Sequence, residues 1–364
     1  MKIIHLEASP GWGGQEIRIL RESKGMRDRG HEVSFVLMTG AILATRAREE
    51  GFKVYELNFR RIAWPIALVK LLSIFRKQSV DIVNTHSSLD AWIGGISARI
   101  ARKKLVRTRH VSTPVKAGWN SRFVYGQLAD FVVTTCEKTA TVLSDQSGKP
   151  KNLFQSIPTG LDPKKVVANS NQSEKFREDL GVSSSDLLVG TACYMRSWKG
   201  VADLIHAADI LRDQKDIKWV IIGGGHEDMY RKLAKDLKLE GIVHFTGHLD
   251  NPYHAIGALD IFTLLSTSGE GVSQAAMQAA FLKKPLITTP TGGLSEICLN
   301  GETGRIVAPF SPQEVAQSVL AMKENKALSQ TYGAHANKLV VDRFTFDKTL
   351  DEMEKVFERV AALN

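Results

Sequence analysis

Short β-prone runs alternate with stretches of helical apolar spacing along most of the chain, and this alternation constrains the fold more than any other feature. In the first half, strands are expected at 2–7, 31–38, 54–57, 81–85, 104–107 and 131–135, and helices at 17–29, 64–76 and 91–102. Parallel strands need a long crossover, usually a helix, so the pattern implies a parallel sheet covered on both faces. The turn-rich passage 156–163 (SIPTGLDP) interrupts it. A second run follows, with strands expected at 187–193, 219–222, 242–246, 261–265 and 286–289, and helices at 202–211, 229–237, 253–258 and 272–282. The stretch 346–362 reads as a closing helix. The expected fold class is therefore α/β, with two open α/β domains at 1–160 and 161–345 and a closing helix in 346–364. A chain of 364 residues suits two domains. Ligands of open α/β sheets bind outside the carboxyl ends of the strands, which places the expected site in a cleft between the domains.

Composition narrows the class further. With 43% hydrophobic and 24% charged residues, the chain is neither disordered nor fibrous. Uncharged runs such as Gly271 to Leu282 fall far short of the ~20 apolar residues of a spanning helix. Glu7 interrupts any signal-like apolar core at the N-terminus. Cys136, Cys193 and Cys298 have neither CxxC nor zinc spacing, which points to a reducing compartment. A soluble, cytoplasmic protein is expected. The net charge of +9 is unevenly spread: residues 1–165 hold 27 Lys and Arg against 14 Asp and Glu, the remainder 21 against 25. A basic first half suits an anionic membrane surface or a phosphorylated ligand, though a solvated basic surface explains it equally.

The segment richest in candidate chemistry is Ser266 to Pro309. A strand is expected to end at Leu265, followed by the Gly269-Glu270-Gly271 loop and a helix from about Val272. Amides of residues 271–273 and the positive end of a helix dipole would then sit beside a carboxylate. Such a place suits a phosphate, while Glu270 can accept hydrogen bonds from sugar hydroxyls. The plainer reading makes Glu270 an ordinary first-turn acid.

At this segment the chain resembles the retaining nucleotide-sugar glycosyltransferases of family 4. Their pattern E-G-x-[GS] with a second acid eight positions on is met by Glu270-Gly271-Val272-Ser273, with Gln278 in place of that acid. Lys284-Pro285-Leu286-Ile287, Gly292-Gly293-Leu294-Ser295-Glu296 and the run Gly301 to Pro309 continue the match. In the family the second acid holds ribose hydroxyls; Gln278 keeps a carbonyl acceptor and adds donors, without the charge-assisted bond. Arg196 and Lys199, in the run Thr191 to Gly200, resemble the family's pair that holds the donor diphosphate. Fixed cations there would neutralise charge that grows as the glycosidic bond breaks. Gly13 and Gly14 in Gly11-Trp-Gly-Gly-Gln-Glu16 are similar to the family's first loop, where backbone approaches donor phosphate or acceptor. Gly223-Gly224-Gly225 is expected to be mainly structural.

His110 ends the run Arg107-Thr-Arg-His and matches the place where the family carries a histidine near the donor sugar. His86, after another expected strand, is a weaker candidate for the acceptor or sugar pocket. No D-x-D triplet and no metal-ligand spacing occur, so charge neutralisation is assigned to Arg196, Lys199 and helix termini rather than to a metal. No cofactor is expected beyond the nucleotide-sugar donor, a UDP- or GDP-sugar.

Two basic features of the first half complete the reading. Arg60-Arg61 precede the apolar stretch Trp64 to Phe75, and a second cluster comprises Arg99, Arg102, Lys103, Lys104, Arg107 and Arg109. They suit peripheral contact with anionic lipid at the inner face of the plasma membrane, where a lipid-linked acceptor would lie. The 64–75 helix itself is expected to pack on the sheet. No recognition motif for nucleic acid accompanies the basic runs.

The resemblance implies a GT-B fold of two facing Rossmann-like domains, the first (1–160) binding the acceptor and the second (161–345) the nucleotide sugar. It further implies sugar transfer from a nucleoside diphosphate to a glycan or lipid-linked acceptor with retention, in cell-surface polysaccharide or lipopolysaccharide assembly. Glu270, His110, Arg196 and Lys199 would be catalytic; Gly13, Gly14, Arg196, Lys199, Gly271, Val272, Ser273 and Gln278 would bind the donor. A nucleotide-sugar 2-epimerase of the same architecture would convert the donor with no acceptor present. A non-catalytic relative, at which Gln278 hints, would bind without turnover.

Overall fold

The structure, a computed structural model, describes residues 1–112 and 115–363. It divides into two compact units, Met1–Pro158 with Thr349–Asn364, and Thr159–Lys348. The first is built on a seven-stranded sheet: β1 (Lys2–Glu7), β2 (Glu32–Met38), β3 (Lys53–Leu57), β4 (Ile82–Thr85), β5 (Lys104–Thr108), β6 (Phe131–Thr134) and β7 (Phe154–Ser156). Their spatial order is β3-β2-β1-β4-β5-β6-β7, and every pairing is parallel. Strands covered on both faces lose the in–out alternation, and β1 is buried at every position after Lys2.

The second unit carries β8 (Leu187–Ala192), β9 (Ile217–Ile222), β10 (Val243–Gly247), β11 (Ile261–Leu264), β12 (Leu286–Thr288) and β13 (Gly304–Ile306). Their order is β10-β9-β8-β11-β12-β13, again all parallel. In each sheet the chain reverses its direction of travel once: between β1 and β4 in the first, between β8 and β11 in the second. The loops leaving paired strands at such a point diverge, which opens room for a ligand at their carboxyl ends.

Local chemistry explains where several helices begin. The helix expected from Ala91 starts at Ser88, because Ser87 and Asp90 form a capping box. The helix expected from Val272 starts at Gln274, with the Ser273 hydroxyl accepting from the Ala276 amide as N-cap. Helices at Ile42–Glu49, Glu137–Ser147, Ser170–Asp179, Pro312–Glu324 and Lys326–Arg343 were not expected from the pattern, nor were β7 and β13. The three residues of β7 and of β13 hold too little sequence for a period to show, and the Lys326–Arg343 helix spreads its apolar residues around its circumference.

The terminal helix Phe346–Ala361 buries Leu350, Met353, Val356, Phe357 and Val360 on one face. It is tied to the first unit. Arg29 donates to Asp351 at 2.7 Å and to Glu354 at 2.6 Å, and the Thr349 hydroxyl donates to the Pro158 carbonyl at 3.0 Å. Leu350 occupies the space beside Gly25, where an added Cβ would lie 2.4 Å from its Cδ1. Among the described residues no helix is long and apolar enough to cross a membrane.

Candidate active site

In the second unit the loops after β8, β11 and β12 are stitched together by backbone contacts. The β8 loop ends in a short 3₁₀ turn, Ser197–Lys199, closed by Gly200 at φ +69°. A Cβ on Gly200 would lie 2.1 Å from the Leu265 carbonyl oxygen, so only glycine permits this approach. The Thr267 amide donates to the Trp198 carbonyl at 2.8 Å, which holds the β8 loop against the β11 loop. Thr289 donates its hydroxyl to the Ser266 carbonyl at 2.5 Å, and the Gly293 amide donates to the Glu270 carbonyl at 3.2 Å. Gly223 and Gly225 pack against the Cys193 and Met195 backbone, a structural role as expected.

This framework brings Lys199 and Glu270 into direct contact. The Lys199 ammonium pairs with Glu270 Oε1, and the Ser266 hydroxyl donates to the same oxygen at 2.7 Å. Glu270 is buried and Lys199 half-buried. The sequence reading gave these side chains separate duties, whereas the structure joins them into one unit. Arg196 stands apart: its exposed guanidinium lies over the rings of Tyr194 at 5.3 Å and Trp198 at 5.1 Å, a cation–π setting. Its carbonyl accepts from the Tyr230 hydroxyl at 3.1 Å.

Gly271, Val272 and Ser273 lead from Glu270 into the Gln274–Phe281 helix, on which Gln278 is half-buried. Because the helix starts at Gln274, amides of 274 and 275 join those of 271–273 as candidate anion donors, while the Ala276 amide is taken by Ser273. Burial pushes the neighbouring Cys193 thiol up to about 11.

Gly292 completes the framework at φ +58°, with an added Cβ falling 1.8 Å from the Glu270 carbonyl oxygen. Gly292→Ala is expected to displace Glu270 and to destabilise the unit by at least the ~1–2 kcal/mol of a left-handed non-glycine residue. Both a lower melting temperature and lost activity are expected. An unchanged melting temperature would refute the tight approach.

The first unit holds a second concentration of polar groups at the carboxyl ends of β1, β4 and β5. His5 Nδ1 lies 2.8 Å from His86 Nε2, and His86 Nδ1 lies 2.9 Å from His110 Nε2. The three imidazoles thus form one hydrogen-bonded chain, with the His5 and His86 ring planes within 8° of parallel. Burial alone holds His5 down to about 3. Burial first, then neighbouring positive charges, holds His86 and His110 well below the ordinary imidazole value. Beside them Glu7 is pushed up to about 8, by burial first and then by repulsion from Asp90. Its oxygens accept from the Ser9 amide at 2.7 Å and the Gln15 side chain at 2.5 Å.

Asp90 accepts from the His86 amide at 2.6 Å and the Ser87 amide at 2.9 Å. Gly13 is the N-cap of the Gly14–Asp28 helix, and its amide donates to Glu16 at 2.9 Å. A Cβ on Gly14 would meet nothing within 4 Å among the described residues. His86 and His110 were legible as strand-end histidines, whereas His5 was missed. Its only signal was an imidazole inside the apolar run KIIHLE. Among the described residues no cluster of three or more His, Cys, Asp or Glu has the geometry to hold a metal ion.

Comparison with known proteins agrees with this architecture. The family model described as glycosyl transferases group 1 matches residues 172–360, and the glycosyltransferase family 4 model matches residues 12–165. An uncharacterized glycosyltransferase of Methanocaldococcus jannaschii is 28% identical over 305 residues, covering 78% of this chain and 76% of that one. N-acetyl-alpha-D-glucosaminyl L-malate synthase of Bacillus anthracis is 22% identical over 369 residues, covering 97% and 96%. The crystal structure of Anabaena HepE in complex with UDP superposes with a TM-score of 0.83 at 22% identity, covering 99% of this chain and 100% of that one. Two parallel Rossmann-like sheets in this order are the GT-B fold, and the chain belongs to the group 1 and family 4 glycosyltransferases.

Proposed function

We propose that this glycosyltransferase moves a sugar from a nucleoside diphosphate, UDP or GDP, to a glycan or lipid-linked acceptor with retained configuration. The observation that carries the reading is the buried Glu270, held by Lys199 and Ser266 at the carboxyl ends of the strands flanking the reversal point of the second sheet. In this reading the second unit binds the donor. Arg196 and the amides of 271–275 neutralise the diphosphate, Glu270 and Lys199 orient the sugar, and Gln278 meets the ribose. The first unit serves the acceptor side, with His110 lining the sugar pocket, His86 behind it, and Gly13 and Gly14 in the loop after β1. The leaving diphosphate itself takes the proton of the incoming hydroxyl on the same face of the sugar. HepE, whose complex holds UDP, supports a nucleotide donor by likeness of fold.

A place in cell-surface polysaccharide or lipopolysaccharide assembly fits the family and the basic first unit. The helix Trp64–Lys77 buries Ala67, Leu71, Ile74 and Phe75 against its unit, as expected. It also leaves Ile66 and Val69 exposed, beside exposed Ile62 and the Arg60-Arg61 pair. Such a face suits peripheral contact with anionic lipid on the cytoplasmic side.

A thermal-shift panel of UDP, GDP, ADP, CMP and their common sugars tests the donor assignment. At 100 times its dissociation constant a ligand stabilises by ~2.7 kcal/mol. UDP or GDP is expected to raise the melting temperature of the wild type and not of Arg196→Ala. A panel flat for the wild type would overturn the donor site.

A further inference from the structure

The first unit contains a pocket of about 350 Å³ that the donor chemistry does not use. Four cationic side chains line it, Arg61, Arg107, Arg109 and Lys116, together with the rings of Trp92 and Tyr125. No carboxylate is among its described lining residues, and the volume lies within the range of small-molecule sites.

Two details show a built feature rather than a basic surface. Arg107 is 3% exposed. Its Nη1 donates to the Thr85 carbonyl at 2.9 Å and the Thr108 carbonyl at 3.1 Å. Its Nε has no hydrogen-bond partner among the described residues. Burying a cation is costly unless it is paired. Asp90 is the nearby acid that interacts with Arg107 electrostatically, but its oxygens already accept from Ser87 and from the His86 amide. The pocket wall also carries packed aromatic side chains. Tyr125 sits on a π-helical segment, Arg122–Leu128, of the kind that recurs at functional sites. Its hydroxyl accepts from Arg109 Nη1 at 3.2 Å. Trp92 is stacked on Phe123 at 5.2 Å and on Trp64 at 6.5 Å.

We infer that this pocket is an anion seat that takes the phosphate group of a phosphorylated, hydroxylated small molecule. Guanidinium forks match phosphate oxygens in a bidentate manner. The Trp92 ring supplies an apolar wall, and Ser88 and Asn120 offer partners for hydroxyls. The inference rests on the proposed transferase reading only in naming the ligand's role: the acceptor carries the phosphate. Anion binding itself does not depend on that reading. The phosphate can belong to a soluble sugar phosphate or to a lipid headgroup, and the two sources are separable by experiment.

The test is calorimetric titration of the full chain, saturated with UDP, with glucose 6-phosphate and inorganic phosphate, and with glucose as the uncharged control. A parallel arm uses phosphatidylcholine vesicles with and without phosphatidic acid. Arg61→Glu and Lys116→Glu are the main variants, because both side chains are exposed and the fold should tolerate the change. Arg107→Met probes the buried cation. Phosphate-dependent binding that weakens about tenfold or more in both charge-reversal variants supports the seat, since a hydrogen bond to a charged group contributes ~1.5–3 kcal/mol. Binding confined to phosphatidic acid vesicles supports it with a lipid source only where Lys116→Glu and Arg107→Met weaken it as well as Arg61→Glu, because Arg61 also borders the exposed apolar face of the Trp64–Lys77 helix. Vesicle binding lost in Arg61→Glu alone overturns the seat. Binding untouched by Arg61→Glu and Lys116→Glu, or no binding to any phosphate, overturns it. The UDP-induced thermal shift should survive both variants, so failure here is distinguishable from failure of the donor assignment.

Discussion

Glu270→Gln is expected to lower transferase turnover by about 10²–10³-fold, the range for removal of one preorganised electrostatic group from an active site. Gln keeps a partner for the Ser266 hydroxyl but releases Lys199 from its ion pair. Lys199→Ala should then cost about as much as Glu270→Gln. The double variant should be little worse than either single one, because groups that act as a unit are non-additive. Arg196 is held by Tyr194 and Trp198 rather than by Glu270, so Arg196→Ala should multiply with Glu270→Gln. Breaking the pair also carries a stability cost, moderated by the half-exposed lysine. Activity is therefore compared well below each variant's melting temperature. Full activity in Glu270→Gln would remove the residue from the mechanism, and strict additivity with Lys199→Ala would refute the paired unit.

The second large effect is on the pH dependence of stability. His5, His86 and His110 stay neutral in the fold, whereas in the unfolded chain each takes a proton near pH 6.5. The unfolded state thus binds more protons as pH falls below 6.5, and stability is lost in that direction. For three uncompensated imidazoles the slope would reach about 4 kcal/mol per pH unit. The carboxyls beside them act in the opposite sense. Glu7 keeps its proton in the fold up to about pH 8 but releases it near 4.5 when unfolded, so its contribution is lost as pH rises through that window. Asp90, also raised by burial, works in the same sense as Glu7.

The first unit should therefore be most stable near pH 6.5, and should soften on both sides. His110→Gln is expected to flatten the acid side and Glu7→Gln the alkaline side. Melting temperatures between pH 5 and 8.5 measure both. Slopes unchanged in either variant would show that the corresponding group is not held uncharged in the fold.

Fold class, motif residues and most strand positions were legible in the chain because they depend on local pattern. β1, β8 and β11 are short apolar runs bounded by turn residues, and such runs announce themselves without knowledge of their partners. Glu270, Arg196 and Lys199 were legible because their spacing along single segments resembles a known family. Elements too short or too evenly mixed to show a period were not, as β7, β13 and the Lys326–Arg343 helix illustrate.

The sequence by itself determined two parallel sheets, a basic first half and the candidate side chains at the ends of particular strands. Tertiary structure alone decided which of those side chains meet. Lys199 reaches Glu270 because Gly200 lets the β8 loop rest on the end of β11. His5, 81 residues from His86, joins the imidazole chain because β1 and β4 pair side by side in the sheet. Strand order is a property of the whole packed sheet, set by which apolar faces bury one another, and no local spacing along the chain encodes it.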